Sequence, residues 1–363
     1  MVSPARPRQR KGWRKAAIAV VAAVATLAVL ELVVRGVAPE SDFFGAPDPV
    51  LGVALRPGAR GRVHHPEYVT ELRVNSLGFR GPERSPTPPA GTTRVLYLGD
   101  SFTEARQVAF DETFAARLEA SWRAQGRARE AVAWGVSGYG TAQEWLLYRD
   151  RAYRLGADVV VLMFALVNDV EDNDPELRGH DRLPVFALGA GPDGLEPRPF
   201  EPPALFDSPL AALVRANHSH LLSKIARGLL RRGRAAETPG VAPEGAERAL
   251  TPGEERAREL TRRLLVAFAA EVRAHKARPA LAILPDPSLL RGRDARRPWL
   301  LGVAKTLGLP ALDLQSALAS ADSPARPVFF PINRHLTAHG HAVVAKALVD
   351  FPPTAARRGG RDG

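Results

Sequence analysis

The chain has 363 residues, 45% of them hydrophobic and 25% charged, a globular balance that excludes a wholly disordered chain. It has no cysteine, which removes disulfides, thiolate metal sites, iron–sulfur clusters and cysteine nucleophiles together. The net charge of +11 does not indicate a nucleic-acid partner: Arg6, Arg8, Arg10, Lys11, Arg14 and Lys15 crowd before residue 16, Arg357, Arg358, Arg361 and Asp362 add +2 at the other end, and the body keeps only +3.

The basic tail of residues 1–15 precedes an uncharged run from Ala16 to Leu30. Glu31 interrupts it, and Leu32, Val33 and Val34 carry it on to Arg35, about 19 residues, near the lower limit for spanning a bilayer. Cations before such a run stay cytoplasmic, so the rest of the chain is expected outside. Residues 16–37 therefore read as a transmembrane signal anchor, with Glu31 near the far interface. A cleaved signal peptide has the same basic start, but its best small-residue site, Gly36-Val37-Ala38, is followed by Pro39. The alanine- and valine-rich stretch from Ala16 to Ala25 also suits a buried helix of a soluble protein.

Residues 38–90 read as an irregular extracytoplasmic segment, because Pro and Gly recur throughout. Within it Glu71-Leu72-Arg73-Val74 alternates as a short half-buried strand does. Asn75 to Gly81 reads as a turn and loop, and Pro82 to Pro89 as a proline-rich linker.

From Arg94 the pattern changes. Apolar runs at Val95–Leu98, Ala131–Trp134, Val159–Ala165, Ala280–Leu284 and Ala311–Leu314 predict five strands. Helical patterns lie between them: Phe114, Leu118 and Trp122 on one face, then Ala142–Tyr153, a helix from near Pro252, and Trp299–Leu307. A final helix follows through Val343, Val344, Ala347 and Leu348. Nearly all-apolar strands alternating with helices predict a parallel sheet covered on both faces. The connection of about 80 residues over 171–252 is far longer than a few-residue crossover link needs. Leu213, Leu221, Ile225 and Leu229 give it one helical stretch, and Gly233 to Gly253 reads as mobile. It is either a tolerated insertion or a lid or membrane-contacting arm, the latter suggested by Arg231, Arg232 and Arg234. Residues 353–363 read as a basic flexible tail.

Four places carry chemistry. Gly99-Asp100-Ser101-Phe102-Thr103 ends the first strand, where a serine hydroxyl and amide can face a ligand at the edge of a parallel sheet. Asp100 is expected to bond the turn. Trp134 to Thr141 follows the second strand and offers a glycine amide with no side chain in the way. Asn168-Asp169 follows the third, and an asparagine amide can donate to an oxyanion. Asn333-Arg334-His335 precedes the last helix, where a histidine can serve as general base for Ser101. His335, His339 and His341 are also close enough in sequence to suggest a metal site.

The order serine, glycine, asparagine, histidine resembles that of the SGNH (GDSL-type) esterase and lipase superfamily, over roughly residues 91–350 with the insertion as its poorest part. Membrane-anchored bacterial members look similar upstream, at Asn75 to Gly81. The resemblance implies a flavodoxin-like three-layer α/β sandwich with a five-stranded parallel sheet, here preceded by one N-terminal transmembrane helix. It implies Ser101 as nucleophile, His335 as base, and an oxyanion hole from Ser101, Gly138 and Asn168, with no cofactor or metal. Family members usually carry an aspartate two or three residues before the histidine, and here those positions are Asn333 and Ile332. Asparagine can hydrogen-bond imidazole but brings no charge and can favour the wrong tautomer. Three readings follow: a Ser–His dyad oriented by a backbone carbonyl, another carboxylate reaching the site, or lost activity. The expected function is an extracytoplasmic serine ester hydrolase or O-acyltransferase acting through an acyl-enzyme, on acyl esters of cell-envelope polysaccharide or lipid. Its rival is a catalytically impaired envelope binding protein of the same fold.

Overall fold

The computed structural model describes residues 10–37, 44–178, 183–200, 221 and 250–351, in two compact units. One contains helix α1, Arg10–Val37, within which Trp13–Val34 is long and apolar enough to cross a membrane. Glu31, the one acid in that stretch, accepts a hydrogen bond from the Leu221 amide at 2.9 Å. The rest of the helical pattern expected at Leu210–Leu230, the run Gly233–Ala249 and the tail 353–363 lie outside the described residues.

The second unit opens with two antiparallel hairpins, β1 (Gly45–Asp48) with β2 (Gly52–Leu55), and β3 (Arg60–His65) with β4 (Tyr68–Arg73). This corrects the expectation of an irregular segment over 38–90. Leu51, Leu55, Val63, Leu72 and Phe79 are buried in the same apolar cluster as the central sheet. The first hairpin's strands are four residues long and β3 buries only Val63, so these three leave no clear alternation, whereas β4 overlaps the half-buried strand expected at Glu71–Val74.

The central sheet follows. Its strands are β5 (Thr93–Gly99), β6 (Arg129–Gly135) and β7 (Val159–Ala165), then, after a small β8–β9 hairpin (Val185–Leu188 with Leu195–Arg198), β10 (Arg278–Leu284) and β11 (Ala311–Asp313). The spatial order is β11-β10-β7-β5-β6 and every pairing is parallel, the flavodoxin-like arrangement. Every residue of β7 is buried, because helices cover both faces. Val160, Leu162 and Phe164 face one apolar cluster with α4 (Thr141–Asp150) and α6 (Pro252–Ala274). Val159, Val161 and Met163 face the other, with α3 (Phe114–Ala124) and the last helix (Ala338–Leu348). Helix α6 begins where Thr251 and Glu254 bond each other's amides and Pro252 presets the first turn. Its buried Leu260, Leu264, Phe268 and Val272 then hold the spacing of one helical face.

The chain leaves β5 for β6 on one side and returns past it to β7 on the other. That reversal opens a crevice at the carboxyl ends of β5 and β7, the place where such sheets bind ligands.

Candidate active site

Ser101 is the first residue of α2 (Ser101–Glu104), directly after β5. Asp100 caps that turn, its Oδ1 accepting the Phe102 amide at 2.9 Å, the bonding role expected of it. The turn is tight because β6 closes on it. A Cβ at Gly135 would stand 2.2 Å from the Glu104 nitrogen, so only glycine fits there.

His335 reaches across from the loop before α9 (Ala338–Leu348; α7 is Arg296–Thr306 and α8 Gln315–Ala321). Its Nε2 lies 2.7 Å from Ser101 Oγ, although the two residues are 234 positions apart. The ring stacks on Phe102, centroids 4.6 Å apart. Its Nδ1 lies 3.0 Å from the main-chain oxygen of Asn333. A carbonyl only accepts, so Nδ1 carries the proton and Nε2 is bare, ready to take the serine proton. Burial is the main influence lowering the His335 pKa, with Arg106 adding to it, which favours the neutral ring a base requires. Asn333 thus meets the imidazole through its main chain. Its side-chain Oδ1 is buried without a partner among the described residues.

The other histidines go elsewhere. His341 is buried, its Nδ1 accepting the Phe114 amide at 3.3 Å, and burial lowers its pKa to about 3. His339 lies 3.1 Å from the Ala321 carbonyl and 3.2 Å from Arg326. Among the described residues no cluster of three or more His, Asp or Glu is placed to hold a metal.

Gly138 sits in the loop after β6 with φ +86°, a conformation that favours glycine. Asn168 caps α5 (Asp169–Asp172), directly beyond β7. Its Nδ2 donates to Asp172 at 2.8 Å and also serves Asp100, so carboxyls engage this amide in the free site. Asp100, Glu144 and Asp169 are fully buried around it. Desolvation raises all three pKa values, that of Asp100 to about 7, and nearby acids add to it: Asp172 acts on all three, Asp100 on Glu144 and Asp169, and Glu144 on Asp169.

Three residues that sequence reasoning passed over hold these loops. Glu104 is buried and accepts both the amide (2.7 Å) and the hydroxyl of Ser137, tying the Gly138 loop to α2. Arg178 donates to the carbonyls of Gly138 and Asp172 and to Gln143, linking the second and third loops. Arg80 is buried and donates to the carbonyls of Glu104, Ala105 and Val108, where the chain leaves α2. Arg80 lies in the Asn75–Gly81 stretch, which the sequence reads as a turn and loop. No periodicity marks a buried arginine whose partners are main-chain oxygens.

A serine and a histidine paired at the switch point of a doubly wound sheet form the arrangement that a serine hydrolase uses. Residues 97–343 match the GDSL-like Lipase/Acylhydrolase family. The chain belongs to that family and is an SGNH-type acyl hydrolase. Among solved structures it is similar to the acetyl xylan esterase AlAXEase (11% identity, TM-score 0.40, covering 70% of this chain and 97% of that one). It is also similar to the psychrotrophic esterase EstA from Pseudoalteromonas sp. (11%, 0.40, 71% and 95%) and to the lipase/acylhydrolase from Enterococcus faecalis (13%, 0.38, 71% and 93%). No curated protein matches the chain.

Proposed function

We propose that the protein is a membrane-anchored, extracytoplasmic serine ester hydrolase working through a Ser–His dyad. The observation that carries this reading is the 2.7 Å contact of Ser101 Oγ with His335 Nε2, with Nδ1 held on the Asn333 carbonyl. Ser101 Oγ attacks the ester carbonyl carbon while its proton passes to Nε2. The amides of Ser101 and Gly138 and the Asn168 side chain hold the oxygen that becomes negative, Asn168 exchanging its carboxyl partners for the substrate. The imidazolium returns the proton to the leaving alcohol, and an acyl-enzyme remains on Ser101. Water, or a sugar hydroxyl in a transfer reaction, then gives its proton to His335 and takes the acyl group.

The apolar run of α1 from Ala16 onward and the six cations before that run support the anchored topology, with the catalytic unit outside. That placement favours acyl esters of cell-envelope polysaccharide or lipid as substrates. The test is hydrolysis of p-nitrophenyl acetate by the full chain in detergent against Ser101→Ala. Turnover that vanishes in the variant is the expected result. Equal rates in both proteins would sink the hydrolase reading and leave a binding protein of the same fold.

A further inference from the structure

The histidine loop gives its backbone amides few partners of its own. From Phe330 to His335 the chain folds back on itself, Phe330 N donating to His335 O at 2.8 Å and Arg334 N to Phe330 O at 3.0 Å. Pro331 has no N–H. Of the others, the amides of Ile332 and Asn333 both point out of the loop. They end on one side chain, Glu67 in the β3–β4 turn, whose two oxygens accept them at 2.8 and 2.6 Å. The partners are 265 and 266 positions apart.

Glu67 is itself held in place. Its side chain is 11% exposed, its own amide lies 3.3 Å from His65 Nδ1, and its carboxylate lies 3.7 Å from the same atom. His65 stacks on Tyr68 (4.8 Å), and Tyr68 packs on Phe330 (5.2 Å), so the turn grips the loop by rings as well as by charge.

The loop needs such a grip. Arg334, between Asn333 and His335, has φ +65°, a left-handed conformation that is strained for a non-glycine residue and persists only where its surroundings fix it. That bend lets the Asn333 carbonyl face the imidazole of His335, two residues on. Without Glu67 the two amides preceding the bend lose their acceptors, and the carbonyl that sets the histidine tautomer loses its anchor.

We infer that Glu67 is the positioning residue of this active site: its carboxylate clamps the amides of Ile332 and Asn333, the two positions where the family's aspartate is missing, and so fixes the carbonyl that orients His335. The inference rests on the Ser–His hydrolase reading. It assigns to the hairpin before the α/β domain the support that a neighbouring aspartate otherwise gives. Glu67 acts on the loop and touches neither the substrate nor the imidazole.

The test compares the full chain in detergent with Glu67→Ala and Glu67→Gln, using p-nitrophenyl acetate turnover and labelling of Ser101 by a fluorophosphonate. Rates are expressed per titrated serine, so loss of folded protein does not enter. Displacing a catalytic group by about 1 Å costs on the order of 10²-fold, so Glu67→Ala is expected to lower kcat by about 10- to 100-fold with KM little changed. Ser101 labelling slows in parallel. Glu67→Gln keeps one good acceptor and falls between. Wild-type turnover with both variants within about twofold of it per site overturns the inference and leaves the hydrolase reading standing. A Glu67→Gln chain that cannot fold makes Glu67 a stability residue and also overturns it. Absence of Ser101-dependent turnover in the wild type overturns the hydrolase reading itself, and the inference with it.

Discussion

The two halves of the dyad are held in opposite ways. The nucleophile turn is fixed from inside: β5 ends beneath it, Asp100 caps it, Gly135 of β6 closes on it, and Arg80 binds the carbonyls where the chain leaves it. The histidine loop is fixed from outside, by a strained residue, a return bond on itself and Glu67 from a separate hairpin. A nucleophile built into the sheet survives change around it, whereas a base on a loop depends on whatever grips the loop. The chain before the central sheet braces both halves, Glu67 from the β3–β4 turn holding the histidine loop and Arg80 from the stretch after β4 holding the end of the nucleophile turn.

The largest effect that tests this contrast comes from the dyad. Ser101→Ala and His335→Ala are each expected to lower kcat/KM on p-nitrophenyl acetate by at least about 10³-fold, and the double variant little further, because the two act as one unit. Losses that multiply would mean that serine and histidine do not share one proton transfer. The pH profile adds a sign. The base works only when neutral, and burial lowers the His335 pKa, so the acid limb of kcat/KM is expected below the ordinary 6.5. A limb above that value would mean that a carboxylate, not a carbonyl, faces Nδ1.

Next in size is Arg80→Met. The guanidinium is buried, and burial lowers its pKa to about 10, still charged at neutral pH. Removing it takes a donor from three main-chain oxygens, of which Ala105 O keeps only a long bond from the Val108 amide at 3.4 Å, at a cost of about 2–4 kcal/mol. A clearly lower melting temperature, with reduced kcat in what remains folded, is expected. An unchanged melting temperature would show that the nucleophile turn does not need its outer brace.

What the sequence reveals follows the same division. β7 is seven apolar residues in a row, and Gly99-Asp100-Ser101 stands at the end of another such run, so strand, turn and nucleophile are legible from neighbours alone. His335 is legible because the periodicity of the last helix resumes just after it. Glu67 is not, since its partners lie 265 and 266 positions away and are main-chain amides, which leave no mark on residue type. β1, β2 and β3 are not legible for a related reason: short strands with one or two buried residues look like loop, and only β4 alternates clearly enough to be read. The departure at Ile332 and Asn333 was visible, but what compensates for it needed the fold.

The buried acids below Asn168 give a smaller, pH-dependent effect. Their pKa values are raised in the folded chain, so it binds more protons than the unfolded one once pH exceeds the ordinary carboxyl range. Stability is therefore lost as pH rises from about 4 towards the folded value, near 7 for Asp100. Both Glu144 oxygens lack partners among the described residues, so Glu144→Gln is expected to raise the melting temperature at pH 8 by a few degrees and to change it little at pH 4. An equal gain at both pH values would mean that packing, not ionisation, is the cause.

The smallest expected effect is the most discriminating. Ile332→Asp places a carboxylate at one of the family's aspartate positions. If residue type there were all that is missing, the rate would climb steeply, since a carboxylate stabilises the imidazolium and a carbonyl does so less. The structure argues otherwise. The Ile332 side chain is 69% exposed and directed to solvent, while its amide already lies on Glu67. The one Nδ1 proton of His335 is committed to the Asn333 carbonyl. A new carboxylate would face water beside an existing one, so kcat is expected to stay within about threefold of wild type, the like charges slightly loosening the clamp. A tenfold gain would show that the loop can reorganise around an aspartate, and that Glu67 grips it less firmly than its two short bonds imply.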